Sequence, residues 1–545
     1  MTKTRGEGLV KTLPNTERGF SSDDELFAEL AAHNTDYDGC FFVGVSSTGI
    51  YCRTVCTAKV PRRENCTFFP TAAMAEAAGY RPCMKCRPEL APDTPGFPGM
   101  ATVAYRAAGL IKKDSSSCSV ADVARTLGVS ERQLRRIFED EYGVSPAAYR
   151  NTCRLLLAKG LLTDTDMPVT RVAYACGFSS VRRFNDAFSK QYRMPPSRLR
   201  NRAPAPGADV HPIEMRVDYR PPFRFDLLLE FLGVRAIEGV EVVRDGAYWR
   251  SVKGAGGVEH PGRPHRPDSM NTAAGSTGAG STNAASAADS VGGAAQKSPG
   301  QPPVGWIRVA DFPQKNCLKV TVSPDLFDEI PSVISKVRRL FDVDCTPRAV
   351  EAGLADFYAR VPQSRIPGIR VPCSFDGFEM AVRAILGQQV TVKAANTMAG
   401  RVAQAFGTPA HLPVEGLRTA FPSPLAFCAP DAAERLGQLG VVRQRARAIC
   451  TLAEALCAGE LDLRPEADVE RSAARLLEVP GIGEWTVQYL LMRAFDYPDA
   501  FPATDYGVKC AFPDMKEKAL KELSLKWSPW RSYAVMSLWS APHGP

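Results

Sequence analysis

No stretch of the 545-residue sequence stays apolar for the roughly 18 to 20 residues that a membrane-spanning helix requires, and "MTKTRGEGLV" has no basic-then-apolar leader. These absences set the expectation of a soluble, cytoplasmic protein with no membrane partner. A reducing compartment argues against a disulfide framework, so the 16 cysteines read as buried, metal-bound or reactive thiols. No long-period repeat is present beyond one doubled helical motif.

What the sequence does have is length for three or four cores and an uneven charge. The net charge is +8, and residues 101–202 hold two basic residues for every acidic one, the electrostatic footprint of a nucleic-acid binder. Composition shifts mark the parts. Residues 1–20 are polar and aperiodic, a flexible tail, and "DDELFAELAAH" then reads as a short amphipathic helix. "PELAPDTPGFPGM" and "NRAPAPGADVHP" punctuate the chain with proline and glycine on either side of a helical block. Residues 253–303, rich in Gly, Ala, Ser and Asn, lack the apolar content to offset ordering entropy and read as a disordered insertion in a sheet connection. The expected division is a tail (1–20), a cysteine-rich segment (21–95), a basic helical block (100–203), a linker (204–213), a mixed strand and helix segment (214–365) and a helical C-terminal segment (366–545).

Within the first segment Cys52 and Cys56 form C-x3-C, and after 26 intervening residues Cys83 and Cys86 form C-x2-C. Two close pairs brought together by folding suit a tetrahedral four-thiolate zinc site, because each preformed pair lowers the entropy of closure. Four unrelated buried thiols or a purely structural zinc site remain as alternatives, and spacing does not choose a reactive sulfur among the four. The stretch "DGCFFVGVSSTGIYCRTVCTAKVPRRENCTFFPTAAMAEAAGYRPCMKCRPE" resembles the N-terminal domain of the Ada adaptive-response proteins. That resemblance implies a small α+β zinc domain in which Cys52, Cys56, Cys83 and Cys86 hold one zinc ion. It also implies that Cys52 takes the methyl group of a DNA methylphosphotriester irreversibly. Arg53, Lys59, Arg62, Arg63, Lys85 and Arg87 are expected to offset the centre's negative charge and draw in the DNA backbone, while Cys40 and Cys66 fall outside the ligand set.

"SVADVARTLGVSERQLRRIFEDEYGVSP" has a helix, glycine turn, helix layout, with Ser130 and Gln133 placed as a capping box. Arg132, Arg135 and Arg136 ride on its second helix. "PVTRVAYACGFSSVRRFNDAFSKQYRMPPSRLR" repeats the layout, with Gly177 in the turn and Ser180, Arg182, Arg183 and Asn185 on the second reader. An ordinary helical domain with solvated charges is the plain alternative. The block resembles the AraC-type double helix-turn-helix, which implies an all-α module contacting DNA through those residues and, as an activator, RNA polymerase.

"LLEVPGIGEWTVQYLLMRAF" puts a Pro-Gly-Ile-Gly turn between two apolar helices, so the N–H groups around Gly481 and Gly483 can hold a phosphate. Asp505 lies 22 residues after Gly483, and alone it would be read as a helix N-cap. With "FEMAVRAILGQQVTVKAA" and "KWSPWRSYAVMSLW", however, the region from about Val217 to Trp539 resembles the helix-hairpin-helix 3-methyladenine DNA glycosylases II. The resemblance implies an α+β N-terminal domain, an all-α catalytic domain, Asp505 as catalytic carboxylate and no metal in the chemistry. Phe231, Trp485, Tyr489 and Trp539 fall at base-pocket positions. Two departures stand out: Trp485 occupies the place of the Schiff-base lysine of strand-cleaving relatives, and Gln389 that of a leucine wedge in a well-known bacterial member.

The sequence therefore reads as a monomeric, multidomain protein, an Ada-type regulator fused to an alkylpurine glycosylase, acting on damaged DNA and promoter sites. No Pro-Cys-His motif occurs, so Ada's usual second methyltransferase is not expected. The rival is a non-enzymatic regulator with structural zinc and a glycosylase-like fold kept for DNA binding.

Overall fold

The computed structural model describes residues 22–93, 102–113, 118–200, 211–254 and 303–541. The expected flexible tail, most of the 204–213 linker and nearly all of the expected insertion lie outside them.

The N-terminal part opens with helix α1 (Asp23–Ala31), capped by the Ser22 hydroxyl on the Glu25 N–H, 3.3 Å. A sheet in the order β3-β1-β2-β4 follows, from β1 (Phe42–Val45), β2 (Ile50–Cys52), β3 (Cys66–Phe69) and β4 (Arg81–Pro82), with α2 (Ala72–Ala77) packed on it. The strand β2 ends on Cys52, and β4 pairs with β2 in parallel immediately before Cys83. Sheet pairing thus delivers both cysteine pairs to one end of one sheet.

The basic block is all helical: α3 (Val103–Lys113), α4 (Val120–Leu127), α5 (Glu131–Tyr142), α6 (Pro146–Asp164), α7 (Val169–Ala175), α8 (Val181–Tyr192) and α9 (Pro196–Leu199). α4 stops at Gly128, whose φ of +69° a side chain would strain, and the turn hands the chain to the Ser130 N-cap. Ser130 accepts the Gln133 N–H at 3.2 Å, but the reciprocal half of the expected box is not formed there. The complete box sits one helix earlier, where Asp122 accepts from the Ser119 N–H and Ser119 from the Asp122 N–H. In the second unit Gly177 takes φ +79° and Ser180 caps α8. Leu134 and Phe138 of α5, and Phe184 and Phe188 of α8, are buried, which fixes the opposite faces outward.

A five-stranded antiparallel sheet, order β5-β9-β8-β7-β6, starts the C-terminal half: β5 (Ile213–Asp218), β6 (Glu241–Arg244), β7 (Ala247–Lys253), β8 (Val304–Phe312) and β9 (Cys317–Val322), backed by α10 (Phe225–Val234). Lys253 pairs with Val304 and the Gly254 N–H meets the Pro303 carbonyl at 2.8 Å, so both ends of the stretch read as an insertion belong to an ordered hairpin. Along β8 burial alternates residue by residue over 304–309, as a half-buried strand requires.

The rest is helical: α11 (Ile330–Leu340), α12 (Pro347–Gly353), α13 (Ala355–Arg360), α14 (Gly377–Leu386), α15 (Val392–Phe406), α16 (Ala432–Gln438), α17 (Arg443–Cys457), α18 (Val469–Glu478), α19 (Glu484–Arg493), α20 (Tyr506–Ala511), α21 (Glu517–Ser524) and α22 (Arg531–Ser540), with a two-residue ribbon of β10 (Thr408–Pro409) and β11 (Thr419–Ala420). A buried charge cluster ties the sheet to α14: Arg250 of β7 pairs with Glu241 and Glu379, and Arg383 with both acids. Breaking such a cluster strands a buried charge, so it fixes the register of α14 against the sheet. Among the described residues no helix is long and apolar enough to cross a membrane.

Candidate functional site

The Sγ atoms of Cys52, Cys56, Cys83 and Cys86 all lie within 4.8 Å of one another. A tetrahedron of thiolates around zinc needs sulfurs about 3.8 Å apart, so the donor set fits that ion. Thiols packed this closely cannot all ionise unaided: contact with Cys56 drives the Cys52 thiol up, and contact with Cys52 drives Cys83 down. A divalent cation removes that conflict.

The four sulfurs are not equivalent. Cys86 Sγ accepts the Arg53 N–H at 3.4 Å, Cys83 Sγ the Lys85 N–H at 3.3 Å, and Cys56 a backbone hydrogen bond at Ala58. Among the described backbone donors none reaches Cys52 Sγ, and Cys52, like Cys86, is half-buried where Cys56 and Cys83 are buried. A thiolate that accepts N–H bonds has its electron pair tied up; one without them keeps its nucleophilicity. Spacing leaves the four sulfurs alike; the hydrogen bonds make Cys52 differ from the other three.

Around this centre the basic residues divide. Lys59 and Arg62 are exposed. Arg53 is instead buried between Asp38 and Asp218, and Arg87 pairs with Glu89 and Asp164. These two therefore do not present free charge to DNA, because neighbouring carboxylates already satisfy them. Arg63 is paired with Asp23 and Asp24 at the surface, and the Lys85 ammonium donates to the Thr57 carbonyl at 2.8 Å.

On the helical block Arg132, Arg135, Arg136, Arg182 and Arg183 are exposed on α5 and α8, and Asn185 is half-buried. Arg135 meets Glu139 at 3.1 Å, and the Ser180 hydroxyl is occupied in capping the Arg183 N–H, 3.2 Å.

In the C-terminal half the candidate residues are carried by α10, α19, α20 and α22. Asp505 is the N-cap of α20, as a plain reading of the residue expects, with Oδ1 accepting from the Gly507 N–H at 2.9 Å. It is also more than a cap. The Trp539 indole N–H donates to Oδ1 at 2.8 Å and that of Trp485 to Oδ2 at 3.1 Å. Both carboxylate oxygens are thus held by rings of the aromatic cluster. Trp485 stacks on Tyr489 with centroids 5.2 Å apart, Tyr489 lies 6.1 Å from Trp539, and Phe231 lies parallel to Trp539 at 6.4 Å. The sequence brought these four aromatics and Asp505 forward as a group, and the fold places them together.

Two cations were not foreseen. Arg235 lies over the Phe231 ring at 3.7 Å, with Arg493 at 4.7 Å, and burial pulls Arg235 down to about 10. Phe231 and Tyr489 both carry protein cations on their rings, Arg493 reaching Tyr489 at 5.6 Å, whereas among the described contacts Trp485 and Trp539 carry none. Arg493 follows Tyr489 by four residues on α19 and donates Nη1 to the Tyr489 hydroxyl at 3.1 Å, a helical spacing that could have signalled it.

At the hairpin Gly481 takes φ +94°, which only glycine adopts freely, and Gly483 caps α19 with open space where a Cβ would point. Gln389 is exposed, with φ +54°, in the turn between α14 and α15. Its neighbour Gln388 pins that turn to the hairpin, donating to the Gly481 carbonyl at 2.9 Å and to the Thr486 hydroxyl at 3.1 Å.

Four family descriptions match in order: "Metal binding domain of Ada" over residues 25–89, "Helix-turn-helix domain" over 123–202, "AlkA N-terminal domain" over 214–376, and "HhH-GPD superfamily base excision DNA repair protein" over 382–516. A Mycobacterium tuberculosis protein described as probable bifunctional transcriptional activator/DNA repair enzyme AlkA is 34% identical over 532 residues, covering 96% of this chain and 97% of that protein. The chain belongs to the family of that bifunctional AlkA.

Its halves match separate proteins. DNA-3-methyladenine glycosylase 2 of Escherichia coli is 31% identical over 327 residues, 59% of this chain and 95% of that one. The bifunctional transcriptional activator/DNA repair enzyme Ada of the same organism is 32% identical over 151 residues, 27% of this chain and 42% of that one. The Ada metal-binding match and the four-cysteine cluster together assign one zinc ion to the N-terminal domain of this AlkA-family protein. DNA is the partner that the helix-turn-helix and base-excision matches have in common.

Proposed function

We propose that this protein answers DNA alkylation twice over. Its N-terminal half takes a methyl group from a methylphosphotriester and thereby becomes an activator of repair genes, and its C-terminal half excises alkylated purines such as 3-methyladenine.

Cys52, Cys56, Cys83 and Cys86 hold the zinc, which when bound supplies the charge that keeps their thiols deprotonated at neutral pH. The Cys52 sulfur attacks the methyl carbon of the triester. The C–O bond breaks, its electron pair stays on the phosphate oxygen, and a phosphodiester anion leaves while Cys52 becomes a thioether. Nothing in the centre reverses this, so each chain acts once. Losing a negative charge that faced phosphate then favours promoter binding through α5 and α8, with the protein acting as a monomer and engaging RNA polymerase.

At the other end a damaged purine is turned out of the helix into the aromatic cleft, with Gly481 and Gly483 on the backbone and Gln389 facing the vacated stack. An alkylated purine carries positive charge and departs readily. As the N-glycosidic bond breaks, its electrons go to the base and positive charge grows on the sugar, where the Asp505 carboxylate offsets it and water completes the hydrolysis. The observation that carries this reading is that both Asp505 oxygens are fixed by indole N–H groups. A preset charge needs no reorganisation during reaction, which is where such catalysis has its advantage. A cap on a DNA-binding helix would need only the Gly507 contact. With Trp485 where a Schiff-base lysine would stand, the reaction ends at the abasic site.

The test is incubation of zinc-loaded protein with methylated duplex DNA, with released bases and protein mass followed together. One methyl on the Cys52 peptide, with free 3-methyladenine and no strand cleavage, is expected. Unmodified protein with intact bases would favour the regulator without enzymatic activity.

A further inference from the structure

Arg53 follows Cys52 directly, yet its side chain is 3% exposed and faces away from any DNA-binding role. Its backbone N–H donates to Cys86 Sγ at 3.4 Å, and its Nη1 to the Cys86 carbonyl at 3.0 Å. One residue therefore holds the second ligand pair by sulfur and by backbone while being chain neighbour to the first. The guanidinium is anchored by two carboxylates. Asp38 takes Nε at 2.8 Å and also Nη2, and Asp218 takes Nη1 at 2.9 Å. Asp38 belongs to the zinc domain; Asp218 is the last residue of β5, in the glycosylase half.

The contact is reciprocated. Arg220, two residues beyond Asp218 and fully buried, donates Nη2 to the Asp38 carbonyl at 2.6 Å and to the Asp93 carbonyl at 2.9 Å. Each half thus sends an arginine into the other, and both arginines converge on Asp38. An ion pair with Asp38 alone would satisfy only one edge of the Arg53 guanidinium. The second carboxylate, Asp218, fixes the edge that also binds the Cys86 carbonyl.

We propose that Asp218 is a positioning residue for the four-cysteine zinc centre, acting through Arg53, so that the glycosylase half sets the geometry of the methyl acceptor. This rests on the cysteines holding zinc and on neither of the two reactions. Groups that orient metal ligands without touching the metal are commonly worth ten- to a hundredfold in affinity.

The experiment uses the full-length, zinc-loaded protein and reads zinc release to a chromogenic chelator. Asp218→Asn, which keeps the shape and removes the charge, should speed release by about tenfold or more. Glu214→Gln, on the same strand but in a half-exposed pair with Lys319, should release zinc at the wild-type rate. A second measurement needs no variant: zinc withdrawal from the wild type should raise hydrogen exchange at residues 216–220. Wild-type release from Asp218→Asn, equal acceleration by Glu214→Gln, or unchanged exchange at 216–220 would each overturn the proposal. Because no methylated DNA is present, these outcomes are independent of whether Cys52 accepts a methyl group, and zinc content measured beforehand tests the cofactor itself.

Discussion

The two candidate reacting groups are both anions, and the chain treats them in opposite ways. Cys52 Sγ receives no described backbone donor while each of its three companions does; Asp505 receives three N–H donors, two from indoles and one from Gly507. A nucleophile must give its electron pair to carbon, so donors would spend it. An electrostatic stabiliser keeps its electrons and only needs to be in place, so donors improve it.

The sharpest way to break this contrast is at Cys52. Cys52→Ser should abolish methyl uptake altogether, read as the absence of added mass after exposure to methylphosphotriester DNA, while excision of 3-methyladenine continues. Uptake on another cysteine would mean that the free sulfur is not the one identified by its lack of donors. Next in size is Asp505→Asn. Asparagine still caps α20, so melting should hold, but excision in a single turnover should fall by about 10² or more, roughly 3 kcal/mol. Equal rates would reduce Asp505 to the cap it also is.

Removing charge by methylation at Cys52 should have the opposite sign for DNA. At about 6 Å and an effective dielectric near 20 the relief is roughly 3 kcal/mol, an upper limit on the order of 100-fold tighter promoter binding. Equal affinities of methylated and unmethylated protein at low and moderate salt would contradict it. Trp539→Phe keeps an aromatic platform and deletes one donor to Oδ1, so excision should drop by about tenfold with binding to an abasic duplex little changed. In an Asp505→Asn background the same substitution should cost almost nothing, whereas a purely packing role would cost the same in both.

The smallest effect concerns a different carboxyl, Asp342, which is buried, accepts from the Tyr533 hydroxyl at 2.9 Å, and is pushed up to about 8 by burial. Between about pH 4 and 8 the unfolded chain has lost this proton and the folded chain keeps it, so stability falls as pH rises through that window and levels off above it. The melting midpoint of the wild type should therefore drop between pH 5.5 and 8.5 by a few degrees more than that of Asp342→Asn. Parallel pH curves for the two proteins would remove Asp342 as the source.

These tests also trace what sequence alone could reach. The C-x3-C and C-x2-C pairs, the glycine turns at Gly128 and Gly177 and the Pro-Gly-Ile-Gly hairpin were legible because each is local: a few residues at fixed spacing dictate a cap, a turn or half a metal site. The helical and strand segments followed from periodicity for the same reason. What stayed hidden was long-range. No spacing rule joins Arg53 to Asp218, whose contact spans 165 positions, or tells that Arg235 covers Phe231. The donors that single out Cys52 are backbone groups, which carry no side-chain signature at all. Basic residues beside the cysteines looked like a DNA-facing set because charge is visible in sequence and the carboxylates that neutralise Arg53 and Arg87 are brought there only by folding.

The hairpin of β7 and β8 has a practical consequence. Lys253 and Val304 are ladder partners, and the Gly254 to Pro303 hydrogen bond closes the ribbon before the chain departs. Whatever lies between enters and leaves at neighbouring points, so the sheet is indifferent to its length, and each doubling of an added segment costs only about 0.6 kcal/mol of closure entropy. That makes the ribbon's end a splice port: a fluorescent reporter grafted there would ride on the repair half and could be exchanged like a cartridge.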